Sequence, residues 1–373
     1  MRFSLLLPTR NGGAFLPDAL AAALAQRGEF EVIVADNANT DATPALLASH
    51  ADDPRVRVVR SERVLTVTEN WMAALRAARG DYLLMVGDDD LLLPSCFADA
   101  DAILRKHDDP DCLTFNAYTY VAPGSFGAGS PAFWSPRHFD LGPLRPEREL
   151  PTTERLSIVR DMFRFRVRFP LNMQLTIFSR AAVASVPGDV FRAPFPDHFA
   201  LNSFLLRARR FVVTDARLLV VGVSPKSFGH FFYGGEQAQG ARYLGSESAF
   251  AGRVEGSELV NSMHAWLEEL RRTYPELADA RVDRWQYLAR QANHWYRQVE
   301  FGALPIRSLW ERARSLRWWE PATVMAPIAG YRVFRRGRGL IRRSRYPFVA
   351  DVWPALRPTS SATIADFAAA LAA

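Results

Sequence analysis

The chain has 373 residues, 49% hydrophobic and 23% charged, with a formal net charge of +6. That is an ordinary soluble globular composition, long enough for two domains with a substantial core in the first. Its two cysteines, Cys96 and Cys112, have neither metal-ligand spacing nor the number a disulfide framework needs.

No stretch is long and apolar enough to span a bilayer. The apolar run Phe3 to Leu7 stops at Pro8-Thr9-Arg10-Asn11, well short of a signal-peptide core. A cytoplasmic, reducing location is the expectation. The first part of the chain then alternates strand and helix with short links. Phe3 to Leu7 reads as a buried strand, and Phe15 to Ala25 as a helix with Leu16, Leu20 and Leu24 on one face. Glu31 to Ala35 is a second strand, and Thr43-Pro44 opens a helix that runs to Ser49. Val56 to Val59, Val67 to Ala78 and Tyr82 to Val86 follow as strand, helix and strand, the helix stopped by Gly80. Phe97 to Lys106 is helical and Cys112 to Ala117 a further strand. This order predicts an α/β fold with a mostly parallel sheet and helices on both faces.

Ligands of such sheets sit beyond the carboxyl ends of the strands. Here strand one runs into Pro8-Thr9-Arg10-Asn11-Gly12-Gly13, strand two into Asp36-Asn37-Ala38-Asn39-Thr40-Asp41, and strand four into Gly87-Asp88-Asp89-Asp90. Three adjacent carboxylates repel one another unless a cation or hydrogen-bond donors offset them. A hard divalent cation bound through one or two acids plus substrate phosphates is a common offset; a solvated acidic turn is the plainer reading. With Arg10 and Asp36 at the same sheet edge, the set suits a nucleotide diphosphate.

From Val121 to Pro151 the chain is rich in Pro, Gly and Ser with Phe126, Phe133 and Trp134 interspersed, the makeup of a partly ordered substrate flap. Helices are expected over Glu154 to Phe165 and Phe199 to Arg209, and strands over Leu175 to Phe178, Phe211 to Thr214 and Leu218 to Val223. Past Gly235 the pattern turns helical over Leu259 to Arg272, Ala280 to Val299 and Ile306 to Leu316. The expected division is residues 1–235 as one α/β domain and 236–373 as a mainly helical, basic region.

Leu7-Pro8-Thr9-Arg10-Asn11, Asp36 through Asp41, Asn70 with Gly80-Asp81-Tyr82, and Asp88-Asp89-Asp90 occur in an order that resembles the family 2 glycosyltransferases of the GT-A (Rossmann-like) fold. The likeness covers about residues 1–235 and is strongest over the first 95 or so. It implies an inverting, metal-dependent transferase that uses Mn2+ or Mg2+ and a UDP-, dTDP- or GDP-linked sugar. The acceptor would be a saccharide or lipid-linked, in bacterial cell-surface polysaccharide synthesis. Carried onto this chain, Pro8, Thr9, Arg10, Asn11 and Asn70 line the nucleotide-sugar pocket, and Asp36 hydrogen-bonds the base or ribose. Asp90 with Asp88 ligates the metal, while Asp88 or Asp89 alternatively reaches ribose or sugar hydroxyls. The resemblance also implies a late acid at a helix start as general base. Asp197 in Pro196-Asp197-His198 fits best, and a helix N-cap is the plainer reading. His198 is a candidate for tuning that base or binding the acceptor, and Lys226 or His230 for reaching the diphosphate or metal from a closing loop.

Between Arg307 and Arg345 the only acids are Glu311 and Glu320. Arginines interleaved with aromatics suit peripheral contact with an anionic membrane or a solvated helical face. Nucleic acid ranks low as a partner, because no nucleic-acid motif accompanies the arginines. A sugar nucleotidyltransferase, or a non-catalytic protein that binds sugar nucleotides or glycans, is the alternative function.

Overall fold

The computed structural model of the protein describes residues 1–125, 129–140, 147–225, 227, 250–300, 304–321 and 356–372. Lys226, His230, Phe126 and the arginine run from Arg332 to Arg345 lie outside the described residues.

Strand and helix alternate as β1 (Phe3–Thr9), α1 (Leu16–Leu24), β2 (Phe30–Asn37), α2 (Thr43–Ala48), β3 (Val56–Ser61), α3 (Val67–Ala77) and β4 (Tyr82–Met85). β3, β2, β1 and β4 lie side by side and parallel. β1, β2 and β4 are near-continuous apolar runs because both their faces are covered. The period of two sorts β1 between those faces. Leu6 joins Ile33, Leu83 and the helices on one side, while Leu5 and Leu7 join Val32, Val34 and α1 on the other. α3 starts on a reciprocal cap in which Glu69 N–H donates to Thr66 and the Glu69 carboxylate accepts from Thr66 N–H.

The chain continues through β5 (Leu91–Leu92), α4 (Cys96–Lys106), β6 (Cys112–Val121), β7 (Phe133–Ser135), β8 (Arg148–Glu149), α5 (Thr152–Met162), β9 (Thr176–Ser179), α6 (Arg180–Ser185), α7 (Pro196–Arg207) and β10 (Phe211–Val223). Beyond β4 the sheet is mixed: β9 inserts antiparallel between β4 and β6, and β10 returns parallel to β6. The two short strands expected over 211–223 are one strand. Its register shifts between Val213 and Leu219, where the turned-out Asp215 accepts from Asn116 and Arg137, each at 2.8 Å. Phe133 and Trp134 do not form a flap: they sit in β7, antiparallel to β6. The alternating arginines at 164, 166 and 168 edge a turn after α5. Phe163, Phe165 and Phe169 point inward there, and Arg168 pairs with Asp161 at 2.6 Å.

Past residue 250 come α8 (Glu258–Thr273), α9 (Arg284–Glu300), α10 (Arg307–Arg314), β11 (Arg357–Pro358) and α11 (Ile364–Ala372). α8 buries Trp266, Leu267 and Leu270 in the same apolar cluster as Phe199 and Phe204 of α7. Full burial of such side chains stabilises by about 1.5–3 kcal/mol each. α11 seats Phe367 against Tyr120 and Trp134, both at 5.6 Å, which covers the far edge of the sheet. Cys96 and Cys112 are free and buried. Among the described residues no helix is long and apolar enough to cross a membrane.

Candidate active site

The parallel register of the first strands sets up one end of the site. Thr9 lies opposite Asp36 between β1 and β2, and Asp36 lies opposite Arg60 between β2 and β3. Asp36 is buried, and its carboxylate accepts from Arg60 Nε at 2.7 Å and from Asn39 N and Nδ2 at 3.0 and 2.7 Å. The following loops are laced together. Asn11 N–H donates to Asn39 Oδ1, Thr40 N–H to Asn11 Oδ1 at 2.9 Å, and Gly13 N–H to Asp41 at 2.8 Å. Arg10 donates to the Ala38 carbonyl at 2.5 Å. Asn11 and Ala38 both carry positive φ, 54° and 49°. Non-glycine residues adopt that conformation uncommonly, asparagine more readily than most.

The acidic triplet sits between β4 and β5, and β5 runs antiparallel to β10 with Leu91 opposite Val220. Two residues further out, this pairing brings the end of β10 onto the triplet. Asp88 reaches toward β1: Thr9 Oγ1 donates to its Oδ2 at 2.6 Å. A Cβ on Gly12 would lie 2.0 Å from that same oxygen, so the close approach requires glycine. Asp89 turns toward β10, where its Oδ2 accepts from the hydroxyls of Ser224 and Ser227 at 2.8 and 2.7 Å. Its carbonyl packs on Gly222, where a Cβ would come within 1.8 Å. Burial holds the Asp89 carboxyl above its ordinary pKa.

Asp90 points inward. Its Oδ2 accepts from Gly87 N at 2.6 Å, its Oδ1 from Gly222 N at 3.0 Å, and Gln174 adds a further bond. Burial, and then the charge of Asp89, push its pKa up to about 7. Asp90, the expected direct metal ligand, is the most buried of the three acids. Its carboxylate joins the triplet to β10 through Gly222, while Asp88 and Asp89 are each only partly buried.

Among the described residues no three His, Cys, Asp or Glu side chains gather into a protein-only metal cage. The donors present are the hard carboxylates of the triplet, with Gly12 and Gly222 letting the backbone pass close against Asp88 and Asp89. That set fits a Mg2+- or Mn2+-type ion held by one or two acids and completed by substrate phosphates.

Asp197 lies in the first turn of α7, behind Pro196, with Phe195 as a cap that offers no side-chain hydrogen bond. One carboxylate oxygen accepts from His198 N at 3.0 Å, which helps the charged form, as does the helix N-terminus. Burial outweighs both and raises its pKa to about 7, inside the range of a general base at neutral pH. His198 is stacked on Phe195 at 4.8 Å and meets Trp266 edge-on at 5.5 Å. Burial lowers its pKa to about 3, so the ring is neutral, and its Nδ1 has no hydrogen-bond partner among the described residues.

The structure thus brings Thr9, Arg10, Asn11, Asp36, Asp88, Asp89 and Asp90 to one sheet edge. Pro8 belongs to the same strand end, and Asn70 is buried on α3. No described hydrogen bond or ion pair joins Asp197 or Asn70 to the triplet. Arg60, Gln174, Ser224 and Ser227 are members the sequence reading missed. Arg60 was findable, because a parallel β2–β3 register puts it opposite Asp36. The serines were not, since their approach depends on β10 returning beside β6.

Residues 4–146 match the family described as glycosyl transferase family 2. An uncharacterized protein of Mycobacterium tuberculosis (strain CDC 1551 / Oshkosh) is 33% identical over 108 residues, 29% of this chain and 33% of its own length. The succinoglycan biosynthesis protein ExoO of Rhizobium meliloti (strain 1021) is 40% identical over 85 residues, 22% of this chain and 24% of its own. The chain spans a third or less of the length of these curated relatives. In three dimensions it is similar to S. aureus TarS 1-349 in complex with UDP-GlcNAc. The TM-score is 0.51 at 16% identity, over 85% of this chain and 80% of that one, a likeness of fold.

Proposed function

Residues 4–146 of this chain belong to glycosyl transferase family 2, and from that premise we propose that the protein moves a sugar from a nucleoside-diphosphate donor onto an acceptor hydroxyl, with inversion at the anomeric carbon. The observation that carries this reading is the meeting of three strand ends: Thr9 of β1 on Asp88, Asp36 of β2 on Arg60, and the β10 exit on Asp89 and Asp90.

In this reading Asp36, Arg60 and the Asn11–Asn39 loop pair bind and orient the nucleoside. Asp88 and Asp89 would hold a divalent cation. When bound, that ion neutralises the charge that gathers on the departing nucleoside diphosphate. Thr9 fixes Asp88, and Ser224 and Ser227 fix Asp89, so neither carboxylate must reorganise when the phosphates arrive. Asp197 takes the proton from the acceptor hydroxyl as that oxygen attacks the anomeric carbon and the bond to the diphosphate breaks. The acceptor class is a saccharide or lipid-linked glycan of a cell-surface polysaccharide. ExoO's name and the UDP-GlcNAc held by TarS support that class and a nucleotide-sugar donor.

The test is release of nucleoside diphosphate across UDP-, dTDP- and GDP-sugars, with Mn2+, Mg2+ or chelator. Turnover with a subset of donors, lost on chelation, is expected. No turnover together with no metal-dependent nucleotide binding overturns the proposal.

A further inference from the structure

The surface around α10 is built unlike the rest of the molecule. α10 buries none of its residues. Ile306, Trp310 and Arg314 follow one another at a spacing of four, so they share one helix face, and Ile306 and Trp310 are 66% and 71% exposed. An adjoining face rests on the small cluster formed by Tyr287, Leu288 and Trp295, where Leu309 packs, as does Leu316 just past the helix. Immediately after α10, Trp318 is 87% exposed and sets its ring at right angles to Trp319 at 5.3 Å. Indole rings standing this far into solvent leave apolar surface in water without a partner, which marks an interaction site.

The charge around these rings is one-sided. Arg307, Arg314 and Arg317 are exposed, and Glu311 is the one exposed acid between residues 306 and 320. Glu320, the other acid of this stretch, is buried and bonded to Arg284 at 3.0 Å. The sequence then continues into Arg332, Arg335, Arg336, Arg338, Arg342, Arg343 and Arg345, with no acid from Arg332 to Arg345.

We infer that the face carrying Ile306, Trp310, Trp318 and the neighbouring arginines docks on an anionic phospholipid surface. Indole rings favour the headgroup region, where the ring is apolar and the N–H is wet. Arginines flanking such rings gain from a negative surface potential that a protein partner would have to supply residue by residue. Only the exposed half of α10 is committed, so the protein would lie on the membrane through a short amphipathic face without crossing it. This inference is independent of the transferase reading, because its measurement involves no sugar transfer.

The experiment is flotation of the full chain with vesicles of phosphatidylcholine alone and of phosphatidylcholine with phosphatidylglycerol, alongside light scattering without lipid. The double variant Trp310→Ser, Trp318→Ser is run in parallel; both rings are exposed, so an unchanged melting curve certifies its fold. Flotation with the anionic vesicles only, a blue shift of tryptophan emission there, and about tenfold weaker binding by the variant are expected. Three results overturn the inference: no flotation with either vesicle, equal flotation of parent and variant, or a lipid-free dimer that the variant abolishes.

Discussion

Thr9 Oγ1 donates a 2.6 Å hydrogen bond to Asp88 Oδ2, and the same oxygen occupies the space a side chain on Gly12 would need. The first strand of the sheet thereby sets the position of an acid 79 residues further along the chain. Gly12→Ala should displace the Asp88 carboxylate while leaving the core untouched. The expected result is a fall in kcat/KM of about 10²-fold, in the range seen when a transition-state electrostatic group is lost or moved, with a melting temperature close to the parent's. Steady-state kinetics and calorimetry on the same preparation check both halves.

Asp88→Asn and Asp90→Asn should separate function from stability. At position 88 the amide oxygen can still accept from Thr9, so the bond survives and the charge is lost. Metal-dependent activity should fall while stability holds. At position 90 one amide N–H would face a backbone donor, from Gly87 or Gly222, inside the protein. The expected cost is about 1–3 kcal/mol of folding stability. Urea unfolding of the two variants distinguishes them, and equal destabilisation would contradict the inward role of Asp90.

Asp197 carries a pKa of about 7 because burial penalises its charge. A base must be unprotonated to act, so kcat should rise with pH to a plateau, with a midpoint near that value. Asp197→Asn should lower kcat by about 10²–10⁴-fold. The linkage has the opposite sign for stability. The folded state binds this proton more tightly than the unfolded one, so the stability it brings is full below the unfolded pKa and lost as pH rises through the folded one. Asp197→Asn should therefore be more stable than the parent at pH 8 by about 1–2 kcal/mol, and the gap should close near pH 4. Paired denaturation curves at the two pH values test the sign.

Arg60→Ala removes the one cation paired with the buried Asp36 carboxylate, leaving it only Asn39 among its described partners. A loss of about 1–2 kcal/mol is expected, together with weaker nucleoside-diphosphate binding by calorimetry. Arg60→Lys should restore part of the stability, because charge matters more than the guanidinium fork for a single Nε contact.

The strands of the first half were legible because β1, β2 and β4 are covered on both faces and therefore read as unbroken apolar runs. Their polar exits were legible for the same reason: a buried strand must end where polar residues begin. The orientation of each acid in the triplet was not legible. It depends on β5 pairing with β10, a contact between residues more than 120 positions apart that no local pattern encodes. β7 and α11 were missed because Phe133 and Trp134 resemble loop aromatics until Phe367 arrives to cover them. The one bent strand at 211–223 was divided in two because its bulge carries Thr214-Asp215-Ala216, which reads as a turn.

Trp266 touches His198, the residue beside Asp197, and its helix shares one apolar cluster with α7. Helices on either side of the change of sequence pattern near residue 235 therefore pack on one another. A shortened chain ending there would take Tyr274 from Phe199 and Trp266 from His198. An exchange of the C-terminal helices between relatives would change the ring that packs on His198. Variation in those helices therefore reaches α7 at His198, one residue from the acid that the proposed chemistry uses as its base.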